Sequence, residues 1–144
     1  MLFGKRKRIV KRILIVEDEP LTAFDNEVML GDAGYDVVAT LDSFDDAIEL
    51  IDREDVDLVL SDVRLSGEQS GLDLARAADK RGIPVLFSTG HKIPEDAKPL
   101  AIGCLCKPYT ERQLRNALEA IDGILRGESV KPSKGLDLYP STKS

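Results

Sequence analysis

Five polar residues stand at or just past the ends of short apolar runs. Glu17 and Asp18 follow ILIV at 13–16, Asp62 follows LVL at 58–60, Thr89 follows VLF at 85–87, and Lys107 follows CLC at 104–106. If those runs are parallel strands of one open sheet, residues beyond their carboxyl ends converge on a single crevice however far apart they lie in the chain. Three carboxylates, a hydroxyl and an ammonium would meet there. Crowded carboxylates repel strongly unless a cation intervenes, and an all-oxygen donor set suits a hard one such as Mg²⁺. Sheets that bind dinucleotides place a glycine-rich turn after the first strand so that bare amides meet phosphate. Glu17, Asp18 and Glu19 occupy that turn here and argue against such a site. Asp18 and Asp62, with Glu17 directly or through water, can instead hold Mg²⁺ and leave the second Asp62 oxygen for a phosphoryl group. Lys107 would neutralise one phosphoryl oxygen and Thr89 donate to another. The chemistry that fits is reversible formation of an aspartyl phosphate.

The elements that must position these residues follow from periodicity. Residues 13–16 form a continuous aliphatic run, as in a strand covered on both faces. Pro20 suits a first helical turn, Leu21, Phe24 and Val28 recur at helical spacing, and Gly31 and Gly34 close the segment. A short strand over 37–40 precedes a helix that Ser43 and Asp46 cap and that Phe44, Ala47, Ile48 and Ile51 make amphipathic. Residues 58–61 are the third strand, 71–80 the third helix, 85–88 the fourth strand and 104–106 the fifth. Thr110 and Gln113 make a capping box for a last helix carrying Leu114, Ala117, Leu118, Ile121, Ile124 and Leu125, closed by Gly127. Only 17 residues separate Thr89 from Lys107, and Pro94 and Pro99 fall among them. The fourth helix is therefore expected to be short or frayed. Five alternations of strand and helix predict an α/β fold, a five-stranded parallel sheet with helices on both faces.

With 144 residues, 42% of them hydrophobic and 32% charged, the chain has the composition of one soluble domain. No stretch approaches the ~20 apolar residues of a membrane span, and the short run after the basic start is no signal-peptide core. The cytoplasm is the expected compartment. Residues 1–12 carry six Lys or Arg and no acid; without them the net charge of −6 becomes −12, from 14 basic against 26 acidic side chains. Such an acidic body repels nucleic acid, so no direct DNA binding is expected. The expected organisation is a flexible basic arm over 1–10, a domain over 11–127, and a disordered tail over 128–144 rich in Ser, Lys, Pro and Gly.

ILIVEDEP, LVLSDVRL, FSTG and CKPY, in that order, resemble the four motifs of the response-regulator receiver domains of two-component signalling. The resemblance covers about residues 11–127. It implies the flavodoxin-like sheet order 2-1-3-4-5, with Asp62 as phosphoacceptor, Asp18 as main metal ligand, Glu17 as its acidic partner and the backbone carbonyl of Arg64 as a further ligand. Thr89 would be the switch hydroxyl, Lys107 the phosphoryl-binding cation, and Lys107-Pro108 a cis bond. Cys104 stands where the family usually carries an aromatic residue. The shortened 90–106 segment and FSTG are similar to an atypical stand-alone subgroup with a Phe-Ala-Thr-Gly-like motif.

On that resemblance the chain is expected to be a single-domain response regulator. A histidine kinase or phosphotransfer protein would phosphorylate it with Mg²⁺, and a downstream protein would bind the face around Thr89 to Tyr109. It would be no enzyme beyond handling the phosphoryl group on its own Asp62. A phosphate sink or phosphorelay intermediate would use the same site. An aspartate-nucleophile phosphatase needs an acid-base residue two positions past the nucleophile, where Arg64 stands, and a cap over the substrate. His91 reads as an exposed loop residue, Cys104 and Cys106 as fillers of a strand, and Tyr109 as an amphipathic turn residue.

Overall fold

Aliphatic runs that cannot leave either face in water must be covered on both sides. The computed structural model, which describes residues 8–65, 67, 70–131 and 133–139, buries them in that way. Strands β1 (Arg12–Val16), β2 (Asp36–Leu41), β3 (Leu58–Ser61), β4 (Val85–Thr89) and β5 (Gly103–Cys106) are parallel and lie in the order β2-β1-β3-β4-β5. Helices α1 (Pro20–Asp32), α2 (Phe44–Arg53), α3 (Gly71–Lys80) and α4 (Glu111–Leu125) connect and cover them. Successive strand residues point to opposite faces, so Leu14, Val16, Val59, Val85 and Phe87 pack against α2 and α3. Ile13, Ile15, Leu58, Leu60 and Leu86 pack against Leu30 of α1 and Leu114, Leu118 and Ile121 of α4.

The helix starts are set locally. Glu19 accepts from the Thr22 amide ahead of Pro20, Ser43 caps through the Asp46 amide, and Thr110 with Gln113 forms a reciprocal box. Ser70 and Asp73 make a second such box at α3. The expected short fourth helix is a 3-10 helix, Glu95–Leu100. Its Pro99 is tolerated in so short an element, whose bonds run from Ala97 to Pro94 and from Ala101 to Lys98.

Two expectations are corrected, and the facing of α1 is a new finding. The sheet has six strands, not five: β6 (Leu136–Leu138) runs antiparallel along the β5 edge. It lies in the stretch expected to be a disordered tail. Leu136 is buried in the α1/α4 layer, and Gly103 presents no side chain to the incoming strand; a Cβ there would overlap the Asp137 carbonyl oxygen. The expected arm is also partly fixed. The Ile9 and Val10 amides both donate to Asp122 Oδ1 at 2.8 Å and Val10 is fully buried, whereas residues 1–7 lie outside the described residues. Finally, α1 forms, but with its apolar stripe outward. Leu21, Phe24 and Val28 are 74, 62 and 44% exposed, while Ala23, Asn26 and Leu30 face the sheet. Two residues along a helix is about 200° of rotation, and the small Ala23 and hydrogen-bonded Asn26 are the side that fits. Among the described residues no helix is long and apolar enough to cross a membrane.

Candidate metal and phosphoryl site

Three of the site residues are each fixed by one backbone hydrogen bond past the last strand pair. The Glu17 amide donates to the Leu41 carbonyl at 2.8 Å, the Asp62 amide to the Val16 carbonyl at 2.9 Å, and the Lys107 amide to the Thr89 carbonyl at 3.0 Å. The ladder thus delivers these side chains to one edge of the sheet. Lys107-Pro108 is cis, as expected.

One carboxylate oxygen from each of Glu17, Asp18 and Asp62 lies within 4.8 Å of the other two. The all-oxygen donor set suits Mg²⁺, and the three oxygens are close enough to converge on one such ion. Glu17 is buried, Asp62 half-buried and Asp18 exposed, which leaves the cluster open on the Asp18 side. Lys107 Nζ spans the other two carboxylates, at 2.7 Å from Glu17 Oε1 and 3.1 Å from Asp62 Oδ2. The Arg64 amide donates to Asp62 Oδ1 at 3.2 Å and the Glu19 amide to Glu17 Oε2 at 3.2 Å.

These contacts separate the two acids electrostatically. Burial raises the Glu17 carboxyl above the usual range, and Lys107 only partly opposes it. Burial also acts to raise Asp62, but hydrogen bonds from the Arg64 amide, Glu17 and Lys107 outweigh it and hold Asp62 low. Asp62 is therefore the more readily ionised of the two, and a carboxylate is the form required of a nucleophile. Burial works against the Lys107 charge, yet its bonds to Glu17 and Asp62 prevail and raise it.

Of the residues read from the sequence, Glu17, Asp18, Asp62 and Lys107 come together. Arg64 stands beside them through its amide. Thr89 is buried at the end of β4, and its hydroxyl accepts from the His91 amide at 3.1 Å. His91 is exposed. Cys104 is buried, its thiol pushed up to about 11 by burial, against Tyr139 beyond β6. The sequence reading missed Gly71, where a Cβ would overlap the Asp62 carbonyl oxygen. The Ser70/Asp73 cap marked that spot as a helix start, but nothing local marked its contact with Asp62. It also missed Asn26 and Ser88, polar residues in apolar surroundings whose partner is Tyr109.

Known proteins resemble this chain. The Transcriptional regulatory protein PdtaR of Mycobacterium tuberculosis (strain CDC 1551 / Oshkosh) is 33% identical over 116 residues, 77% of this chain and 56% of that protein. The Phyllosphere-induced regulator PhyR of Methylorubrum extorquens is 33% identical over 101 residues, 67% of this chain and 38% of the relative. The chain thus spans about half or less of the length of these curated relatives. The crystal structure of the signal receiver domain of a modulated diguanylate cyclase from Desulfovibrio desulfuricans G20 superposes with a TM-score of 0.75 at 28% identity, covering 83% of this chain and 99% of that one. Residues 13–119 match the family described as response regulator receiver domain. With the sheet order, the acidic cluster and this match in agreement, the chain belongs to the response regulator receiver domain family.

Proposed function

We propose that this receiver domain accepts a phosphoryl group on Asp62 from a phosphohistidine donor, a histidine kinase or phosphotransfer protein, and signals by changing which protein it binds. The observation that carries this reading is the Glu17, Asp18 and Asp62 cluster with Lys107 laid across it. Glu17, Asp18, Asp62 and the carbonyl of Arg64 would hold Mg²⁺. The ion, when bound, screens the acids and the charge of an incoming phosphoryl group. An Asp62 oxygen forms the new bond to phosphorus as the donor's phosphorus–nitrogen bond breaks, and the departing imidazole keeps the electron pair and takes a proton. Lys107 moves from its carboxylate contacts onto a phosphoryl oxygen. Thr89 exchanges its bond from the His91 amide for donation to a second, which would shift the end of β4. The responding surface is the face around Thr89 to Tyr109, together with the 3-10 helix.

Asp62→Asn preserves shape and removes the nucleophile. The expected result is no label from a phosphorylated kinase or a small phosphoramidate, with an unchanged circular dichroism spectrum. Stoichiometric labelling of that variant refutes the assignment.

A further inference from the structure

Tyr109 lies two residues past Lys107, on the far side of the Lys107-Pro108 bond. Its hydroxyl donates to Asn26 Oδ1 at 2.6 Å and pairs with Ser88 Oγ at 2.9 Å. Asn26 and Ser88 are each 1% exposed. Burial pushes the phenol's pKa up, so it stays a protonated donor. The three residues belong to the three segments that carry the site: α1 follows Glu17 and Asp18, Ser88 precedes Thr89 on β4, and Tyr109 shares the turn with Lys107. Tyr109 also packs against the apolar layer that contains Leu30 of α1. An open cleft of about 180 Å³ lies beside them, with Asn26, Met29, Lys107 and Tyr109 among its walls. The phenol hydrogen bonds add directional ties from the turn to α1 and β4.

We propose that Tyr109 is a positioning residue for Lys107: through Asn26 and Ser88 it fixes the turn so that the ammonium stays over Asp62. The inference rests on the phosphoacceptor reading and deepens it. The test is a cycle of four proteins, wild type, Tyr109→Phe, Lys107→Ala and the double variant, labelled by a small phosphoramidate with Mg²⁺ well below the melting temperature. Tyr109→Phe keeps the ring and is expected to slow labelling about 5–10-fold, the weight of one or two lost hydrogen bonds. In the Lys107→Ala background the same change is expected to have no further effect. In the metal-free protein the Lys107 Nζ nitrogen resonance, set apart by its two carboxylate contacts, is expected to move toward the exposed lysines in Tyr109→Phe.

Unchanged labelling and an unmoved Lys107 resonance overturn the proposal, as does equal slowing in both backgrounds, which marks a merely structural role. If Tyr109→Phe does not fold, Ser88→Ala and Asn26→Ala are read in the same cycle with the same criteria. A wild-type protein that takes no label, or an Asp62→Asn variant that does, removes the parent reading and this one with it. Normal wild-type labelling with an inert Tyr109 removes only this one.

Discussion

At the residue scale, Asp62 is placed as much by what is missing beside it as by its partners. Gly71 opens α3 against the Asp62 carbonyl, where any side chain would overlap. Gly71→Ala is expected to cost about 1–3 kcal/mol, the usual range for overpacking a tight site. Because the displaced atom belongs to the backbone of Asp62, Mg²⁺ affinity should fall as well. Urea unfolding and a metal titration check the two effects, and an unchanged affinity in a destabilised protein would show that the site does not feel that contact. The cysteines give a second residue-level prediction. With a thiol pushed up to about 11, Cys104 holds roughly one part in a thousand as thiolate at pH 8, and it is buried, whereas Cys106 is exposed. Native protein should take up one equivalent of a thiol reagent, at Cys106, with the second reacting only on unfolding. Rapid modification of both, read by mass spectrometry, would contradict the placement of Cys104.

At the element scale, β6 is an addition that the parallel sheet does not require. It is held by a few bonds, among them the Cys106 amide to the Gly135 carbonyl at 2.8 Å and the Tyr139 amide to the Ile102 carbonyl at 3.0 Å. Its place depends on Gly103, and the atoms a Cβ would meet there all belong to β6. Gly103→Ala should detach β6 and leave the five parallel strands paired. Hydrogen exchange of the Cys106 and Tyr139 amides is expected to accelerate while β4 amides stay protected, and Cys104, losing its Tyr139 cover, should become reactive. Persistent protection of Tyr139 in that variant would contradict this account. Asp122 plays the corresponding part at the other end of the chain. It accepts from the Ile9 and Val10 amides and pairs with Arg126. Asp122→Ala leaves those donors unpartnered, one of them buried, and is expected to cost about 1–3 kcal/mol in a denaturant titration.

For the whole molecule, the two apolar layers carry the stability and the acidic edge works against it. Bringing Glu17, Asp18 and Asp62 together is unfavourable without a counter-charge, and Lys107 contacts only two of them. A divalent ion that binds the folded chain alone stabilises it by mass action, about 2.7 kcal/mol at a hundred times its Kd. The melting temperature should therefore rise with Mg²⁺ in wild type and much less in Asp18→Asn, whose lost ligand is exposed and not part of the core. A melting temperature insensitive to saturating Mg²⁺ would show that the cluster holds no such ion. The outward stripe of Leu21, Phe24 and Val28 lies on the helix that starts two residues past Asp18.

What the sequence determined by itself was local or periodic: the aliphatic runs of β1, β3 and β4, the caps at Ser43 and Thr110, the proline-shortened segment before β5, and the polar residues at the strand ends. Those signals sit within a few positions of one another, and parallel pairing then carries Glu17, Asp18, Asp62 and Lys107 to one edge without further information. Tertiary structure alone decided which face of α1 turns inward, because Ala23, Asn26 and Leu30 repeat with the same period as Leu21, Phe24 and Val28. It alone brought β6 onto β5, since three residues after a polar linker are too short for a periodic signal. The Gly71 contact with Asp62 and the Asn26, Ser88 and Tyr109 network were likewise hidden: each joins segments distant in the chain, and no pattern along either one records the shape of the other.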